Sequence, residues 1–423
     1  MPRPVAPAPS ALRCSTVGRG AQIVVLPTGP ATGAGTESGV VAVQLWVAGG
    51  TAAEGPDEHG CAHLLEHMLF KPTEDGQDLA AVIEALGGDV NAFTSHDETV
   101  VHATVPAGRE LAALDAVLGS TLQPRLDAPS LATEAGVVVE EILQYRDDPG
   151  AQGMQDLHAA LYGRHPYARP VLGTTAEVRS HTVARLRRYH RRVYAARRVS
   201  LVVVGPVDAA VMARRAEPWL SSLARGGGVD DGEPVDAPLG RARIRVRQAE
   251  VHEAHVQLAW RGPPVPSREA CALEVASIVL GHGEASRLTR RVRRGGRLVT
   301  DVHASFAPSR RSSEVVIAAH AEPARARDAA DGILAEVDRL GRVPIDDDEL
   351  ARARAVLRSD LVYRRETAQG HAHALGQSLS LVGSLELDEH YYAALEELSA
   401  PEIRRVCAQW LRPAAAALAV VVP

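Results

Sequence analysis

The sequence predicts a duplicated α+β fold of two similar domains. The order strands, helices, strands, helices, last strand runs twice along the 423 residues. Residues 224–243 separate the two runs. They carry three consecutive glycines with acids and prolines, and show no apolar periodicity. The third observation is composition: 46% hydrophobic and 23% charged residues suffice for more than one core. The expected division is a first domain over 1–223, a linker over 224–243 and a second domain over 244–423.

The elements follow from local pattern. Gln22–Leu26 and Val40–Val47 are apolar, β-branched runs bounded by Gly and Pro, which predicts strands. His59–Phe70 and Asp78–Leu86 have helical spacing, the second stopped by Gly87 and Gly88. Thr99–Val105 alternates like a strand. Arg109–Leu122 and Ser130–Tyr145 are predicted helices, the latter with Asp127 as N-cap and Pro129 just inside. His181–Tyr194 is helical and Val199–Gly205 is a buried strand. The second run places strands at Ile244–Val246, Val256–Trp260, Val302–Phe306 and Glu314–Ala319. Long helices follow at Ala324–Leu340 and Asp347–Arg364, and the strand Ala417–Val422 comes last.

Composition also excludes function classes. Net charge is −6 and Lys71 is the only lysine, so the positive charge is nearly all arginine, interspersed with acids. The basic run Arg290 to Arg297 has no aromatic partners, which argues against a nucleic-acid surface. Met1 to Cys14 holds four prolines and no apolar signal core, and no run of apolar residues is long enough to span a bilayer. Cys14, Cys61, Cys271 and Cys407 form no CxxC. Reduced, structural thiols in a cytoplasmic protein are expected.

The segment that carries chemistry is His63-Leu64-Leu65-Glu66-His67. Positions i and i+4 of a helix lie on one face a turn apart, so both imidazoles can reach one ion, with Glu66 beside that face. Cys61, Leu64, Leu65, Met68 and Leu69 cover the remaining circumference with apolar surface, so the polar stripe needs a partner inside the protein. With 17 histidines in the chain, chance supplies roughly 0.05 such HxxEH matches. A catalytic zinc needs a third protein ligand and an open position. The helix Ser130–Tyr145 offers Glu134, Glu140 and Glu141. Seven residues are close to two whole helical turns, so Glu134 and Glu141 share a face and Glu140 is turned about 100° from Glu141. Glu141 is therefore the expected ligand, and Glu134 the carboxylate that orients a ligand from behind.

These segments resemble the inverzincins, the pitrilysin/insulinase/mitochondrial-processing-peptidase family, over nearly the whole chain. Glu54 to Thr73 is similar to the family's inverted zinc signature, and Glu134 to Glu141 to its Glu-x6-Glu segment, whose second Glu binds metal. Gly87 to Thr94, with Asn91, Ala92, Phe93 and Thr94, resembles its substrate strand. His165 to Gly173 and Leu201 to Gly205 resemble the close of its first domain, and Leu280 to Leu288 the glycine loop of its second.

The resemblance implies two similar α+β domains, each a mostly antiparallel sheet with helices packed on it, together forming half of a clamshell around a peptide. It implies Zn2+ on His63, His67 and Glu141, with Glu66 as general base and a zinc-dependent endopeptidase as the activity. The segment 89–94 would offer a strand edge to substrate. One departure stands out. Complete family sites carry an Arg and, seven residues later, a Tyr; here Arg293 matches the Arg, but Thr300 stands in the place of the Tyr. The chain thus resembles the zinc subunit of a heterodimer whose homologous partner lacks HxxEH and supplies the Arg/Tyr pair. A homodimer and a non-catalytic scaffold subunit are the alternatives.

Overall fold

In a computed structural model, the chain is described over residues 12–28, 39–73, 76–227, 233–235 and 237–423. Strands β1 (Arg13–Val17), β2 (Ala21–Pro27) and β3 (Val40–Val47) lead into helices α1 (Cys61–Leu69) and α2 (Leu79–Ala85). Strands β4 (Asp89–Thr94) and β5 (Thr99–Pro106) follow. Next come α3 (Glu110–Leu122), α4 (Ala128–Asp147), α5 (Pro149–Tyr162), α6 (Thr175–Ser180) and α7 (Val183–Val193), then β6 (Val199–Gly205) and α8 (Ala209–Ser221). The second run begins with β7 (Arg243–Gln248), β8 (Ala254–Arg261) and α9 (Arg268–Gly281). After a π-helical segment at Thr289–Gly295 come β9 (Asp301–Ala307), β10 (Glu314–Ala321), α10 (Ala326–Arg342) and α11 (Asp347–Arg364). Helices α12 (Ala368–Val382), α13 (Leu387–Glu397) and α14 (Ala400–Trp410) precede the last strand, β11 (Ala417–Val422).

The described residues form two sheets, one per run. The first has the order β1-β2-β6-β3-β5-β4 and the second β7-β11-β8-β10-β9. Every pair is antiparallel except β2 with β6 and β7 with β11. The second order repeats the first with one strand fewer: nothing corresponding to β1 lies beside β7 among the described residues. The duplicated α+β architecture expected from element order is the one observed.

The compact units are not contiguous in sequence, so they divide the chain differently from a single cut at 224–243. One gathers the described residues of Met1–Glu140, Val171–Asp231 and Val362–Leu385; the other gathers those of Glu141–Pro170, Gly232–Leu361 and Glu386–Pro423. The exchanged pieces include α12, which belongs to the first unit, and α5, which belongs to the second. The reason is packing. Each sheet has an apolar face that needs a covering helix, and the helix comes from the other half of the sequence. In the first unit α12 lies over a core of Val24, Leu26, Ala42, Trp46, Val100, Val202 and Val204. A Cβ at Gly376 of α12 would fall 2.0 Å from the Trp46 indole nitrogen, so only glycine permits that approach. In the second unit a Cβ at Gly153 of α5 would fall 2.4 Å from Gln257 Oε1 on β8. Helix α5 starts at a cap that local chemistry explains: Asp148 Oδ1 accepts from Gly150 N at 2.8 Å and Ala151 N at 3.1 Å, with Pro149 at the first position.

A buried ion pair holds the second unit together. Arg287 Nε and Nη2 donate to Glu349 Oε1 and Oε2 at 2.8 and 2.6 Å, and both side chains are buried. Burial raises the Glu349 carboxyl, but the Arg287 hydrogen bonds and charge outweigh it and leave it below the usual carboxylate value. A depressed folded value means that the stabilisation is present above the unfolded carboxylate pKa and is lost as pH falls through the folded one. Arg287→Met is expected to destabilise the fold by about 3 kcal/mol at neutral pH, because the buried carboxylate loses its bidentate partner and keeps only the Asp346 N–H at 3.2 Å and the Arg290 guanidinium at 3.5 Å. Urea denaturation checks this, and the deficit should shrink in acid.

Candidate metal centre

Helix α1 is fixed from its N-terminus. Gly60, its N-cap, has φ +84°, a left-handed conformation that suits glycine. Gly60 has no side chain to cap the helix, and Glu54 does so from outside it. Its carboxylate accepts from Ala62 N at 2.8 Å and Gly60 N at 3.1 Å. Burial pushes the Glu54 carboxyl up, against the lowering influence of His59 and these two N–H bonds. Further along, Cys61, Leu64, Leu65, Met68 and Leu69 are buried in the core. That leaves His63 and His67 to meet the carboxylates of α4.

His63 is buried and its ring centroid lies 4.8 Å from that of His67, the planes crossing at 63°. Ligand atoms of His63, His67 and Glu141 all lie within 4.8 Å of one another. Among the described residues this is the group of His, Cys, Asp and Glu side chains that could hold a metal ion. The division between compact units passes through α4 between Glu140 and Glu141; the helix runs on without a break, so Glu134 and Glu141 ride on one rigid element. Glu140 is exposed, as its turn away from Glu141 predicts.

Glu134 is buried and joins two partners. Its Oε2 is 3.2 Å from His67 Nδ1, and its Oε1 is 2.5 Å from Lys71 Nζ. With Nδ1–H donating to Glu134, Nε2 of His67 is the nitrogen directed at an ion. The donor set of two imidazoles and one carboxylate with a carboxylate-backed histidine fits a catalytic zinc, which keeps a fourth position open. Glu134→Ala is expected to weaken metal affinity ~10–100-fold, since His67 loses its orientation and Lys71 its partner. Competition with a zinc-binding dye measures this.

The segment Asn91–Thr94 lies on β4, the edge strand of the first sheet, paired antiparallel to β5. Ser95 N donates to Glu98 O at 2.8 Å, which puts Ser95 in a hydrogen-bonded pair. Alternation then directs the backbone groups of Val90, Ala92 and Thr94 outward from the sheet. The outward Ala92 N–H is engaged by Asn91 Oδ1 at 2.8 Å. Phe93 points to the opposite face from Ala92 and stacks edge-on against Trp46, centroids 6.1 Å apart. Arg293 belongs to the second compact unit, in the π-helical segment, with Nη1 3.8 Å from Glu284 Oε1. Thr300 donates its backbone N–H to His320 O at 2.8 Å.

Two family profiles match the chain: insulinase (peptidase family M16) over residues 33–175 and peptidase M16 inactive domain over 180–357. An uncharacterized zinc protease of Mycobacterium tuberculosis is 31% identical over 368 residues, covering 86% of this chain and 84% of that one. The chain belongs to peptidase family M16. An uncharacterized zinc protease of Bacillus subtilis is 28% identical over 369 residues, 86% of this M16 chain and 88% of its own. The mitochondrial-processing peptidase β subunit of Blastocladiella emersonii is 29% identical over 265 residues, 62% of this chain and 56% of its own. Among solved structures, a Helicobacter pylori protease superposes with a TM-score of 0.88 at 21% identity, covering 97% of this chain and 99% of that chain. A peptidase M16 inactive domain from Pseudomonas fluorescens gives 0.85 at 20% identity, with 97% and 98% covered. At those identities the likeness is one of fold.

Three residues of this M16 site lie outside the sequence expectations. Glu54 caps α1, Lys71 pairs with Glu134, and Tyr194 stands near Glu66: burial first, then the Glu66 charge, pushes its phenol up. Lys71 had a signal, being the only lysine in the chain and placed four residues after His67. Tyr194 had none, because 128 residues separate it from Glu66 in the sequence.

Proposed function

We propose that this chain is the zinc-bearing subunit of a peptide-hydrolysing heterodimer, an endopeptidase acting on short or unfolded polypeptides in the cytoplasm. The observation that carries the reading is the convergence of His63, His67 and Glu141, with Glu66 on the same helix as the two histidines. His63, His67 and Glu141 would hold zinc, which when bound would supply Lewis-acid chemistry toward a water and the scissile carbonyl. The rest falls to the protein. Glu66 accepts the proton of the attacking water on its carboxylate and returns it to the leaving amine. Glu134, held by Lys71, fixes the His67 ring through Nδ1. The outward backbone groups of β4 would pair with an extended substrate, Asn91 giving up Ala92 N–H to a substrate carbonyl. Arg293 would be a further substrate contact by the family resemblance.

The oxyanion needs donors beyond the ion, and Thr300 is too short to serve as the family's Tyr. The Arg/Tyr pair therefore comes from a homologous partner lacking HxxEH. Hydrolysis of a fluorogenic unfolded peptide tests this. The purified chain alone should be slow, activity should rise on adding such a partner, and 1,10-phenanthroline should abolish it. Full-rate cleavage by the chain alone would reject the division of labour. Phenanthroline-resistant cleavage would reject the metal mechanism.

A further inference from the structure

The geometry points to a second polypeptide-binding edge, on β7, that takes an extended segment of another chain in which acidic and apolar residues alternate. Strand β7 reads Arg243-Ile-Arg-Val-Arg-Gln248 and ends the second sheet. Arg243 N donates to Ala416 O at 3.0 Å and Ala249 N to Val422 O at 2.9 Å, both toward β11. Alternation turns the backbone N–H and C=O groups of Ile244, Val246 and Gln248 outward, where no strand pairs with them among the described residues.

The two faces of that edge differ. Arg243 Nη1 reaches Ala160 O at 2.8 Å and Arg247 Nε reaches Asp156 Oδ2 at 2.8 Å, so the arginines lie on the α5 side. Ile244 and Val246 project from the opposite face and are 64% and 68% exposed. Beside the α5 face is an open groove of about 590 Å³ lined by Ala160, Gly163, Arg241, Arg243 and Arg245. An edge meant only to repel other strands carries charge on it; this one also presents two bare β-branched side chains, which a guest strand would cover.

The first sheet shows how such an edge is filled. There β1 pairs antiparallel with the outer edge of β2, which occupies the place in its sheet that β7 occupies in the second. Charge selects the guest. A second copy of β7 laid antiparallel would bring arginine rows together, which disfavours self-pairing. An acidic residue at every other position answers Arg243, Arg245 and Arg247, and apolar residues between them meet Ile244 and Val246. The described residues 233–235 ahead of β7 are engaged elsewhere: Val235 N is bonded to Arg311 O at 2.7 Å, and Glu233 O lies 3.2 Å from His165 Nε2.

The test uses the full chain and a fluorescein-labelled Glu-Val-Glu-Val-Glu-Val-Glu peptide, read by fluorescence anisotropy, with the Lys/Val alternate as comparison. The acidic peptide should bind saturably and at least tenfold more tightly than the basic one. Val246→Pro removes an outward N–H and leaves the ladder to β11 intact, so it should weaken binding at least tenfold. Arg245→Glu, an exposed position on the α5 side, should weaken it as well, and reports even where the proline variant does not fold. Equal affinity for both peptides, or wild-type affinity in Arg245→Glu or in a folded Val246→Pro, overturns the proposal. The latter outcome would place the peptide elsewhere on the protein, including at β4.

Discussion

Glu66→Gln is expected to retain zinc at the wild-type ratio and to lower peptide turnover by about 10³-fold, within the range for removing a general base. The substitution keeps shape and leaves the ligands untouched; what it removes is a carboxylate able to take a proton. Glu66 sits one turn from His63 on a helix whose apolar side is buried in the core, so the amide occupies the same place. The buried Tyr194 beside it is kept neutral and offers no substitute base. Steady-state rates on a fluorogenic peptide, with the two proteins compared in the assembly that gives wild-type turnover, measure the effect. Zinc content determined in parallel separates a lost base from a lost ion. Turnover within a few fold of wild type would remove Glu66 from the role.

Glu141→Ala is expected to lose the metal, with affinity falling by more than the ~10–100-fold predicted for Glu134→Ala, since a ligand and not its support is removed. Two imidazoles at i and i+4 remain, too few for the closed side of a catalytic zinc site. The neighbouring Glu140→Ala is the control. Its side chain is exposed on the same helix, and its zinc content should match wild type. Metal analysis after dialysis against a weak chelator distinguishes the three proteins. Equal zinc in Glu141→Ala and wild type would reject the ligand assignment.

Much of this was legible in the sequence because it rests on helical period. The spacing of His63, Glu66 and His67 and the seven-residue interval from Glu134 to Glu141 each define one face of one helix, and the structure brings the two faces together. The duplication was legible from element order for the same reason: strands and helices were long enough to show their periods. What escaped depended on tertiary contact. Helix α5 has glycines at positions 150 and 153 and a proline start, which blunt its helical signal. Its purpose, covering β8 and β11, exists only after the sheet forms. Strand β1, Arg-Cys-Ser-Thr-Val, has no apolar alternation and is a strand because β2 lies beside it. The Glu54 cap joins residues six and eight apart across a turn that no periodicity encodes.

The central claim, one zinc held by two imidazoles and a carboxylate, is tested most directly by zinc-edge X-ray absorption on the purified chain. The geometry of the site predicts one zinc per chain with only nitrogen and oxygen neighbours at about 2.0–2.2 Å. A zinc–sulfur shell near ~2.3 Å, which would bring Cys61 into the coordination sphere, or the absence of stoichiometric zinc would contradict it.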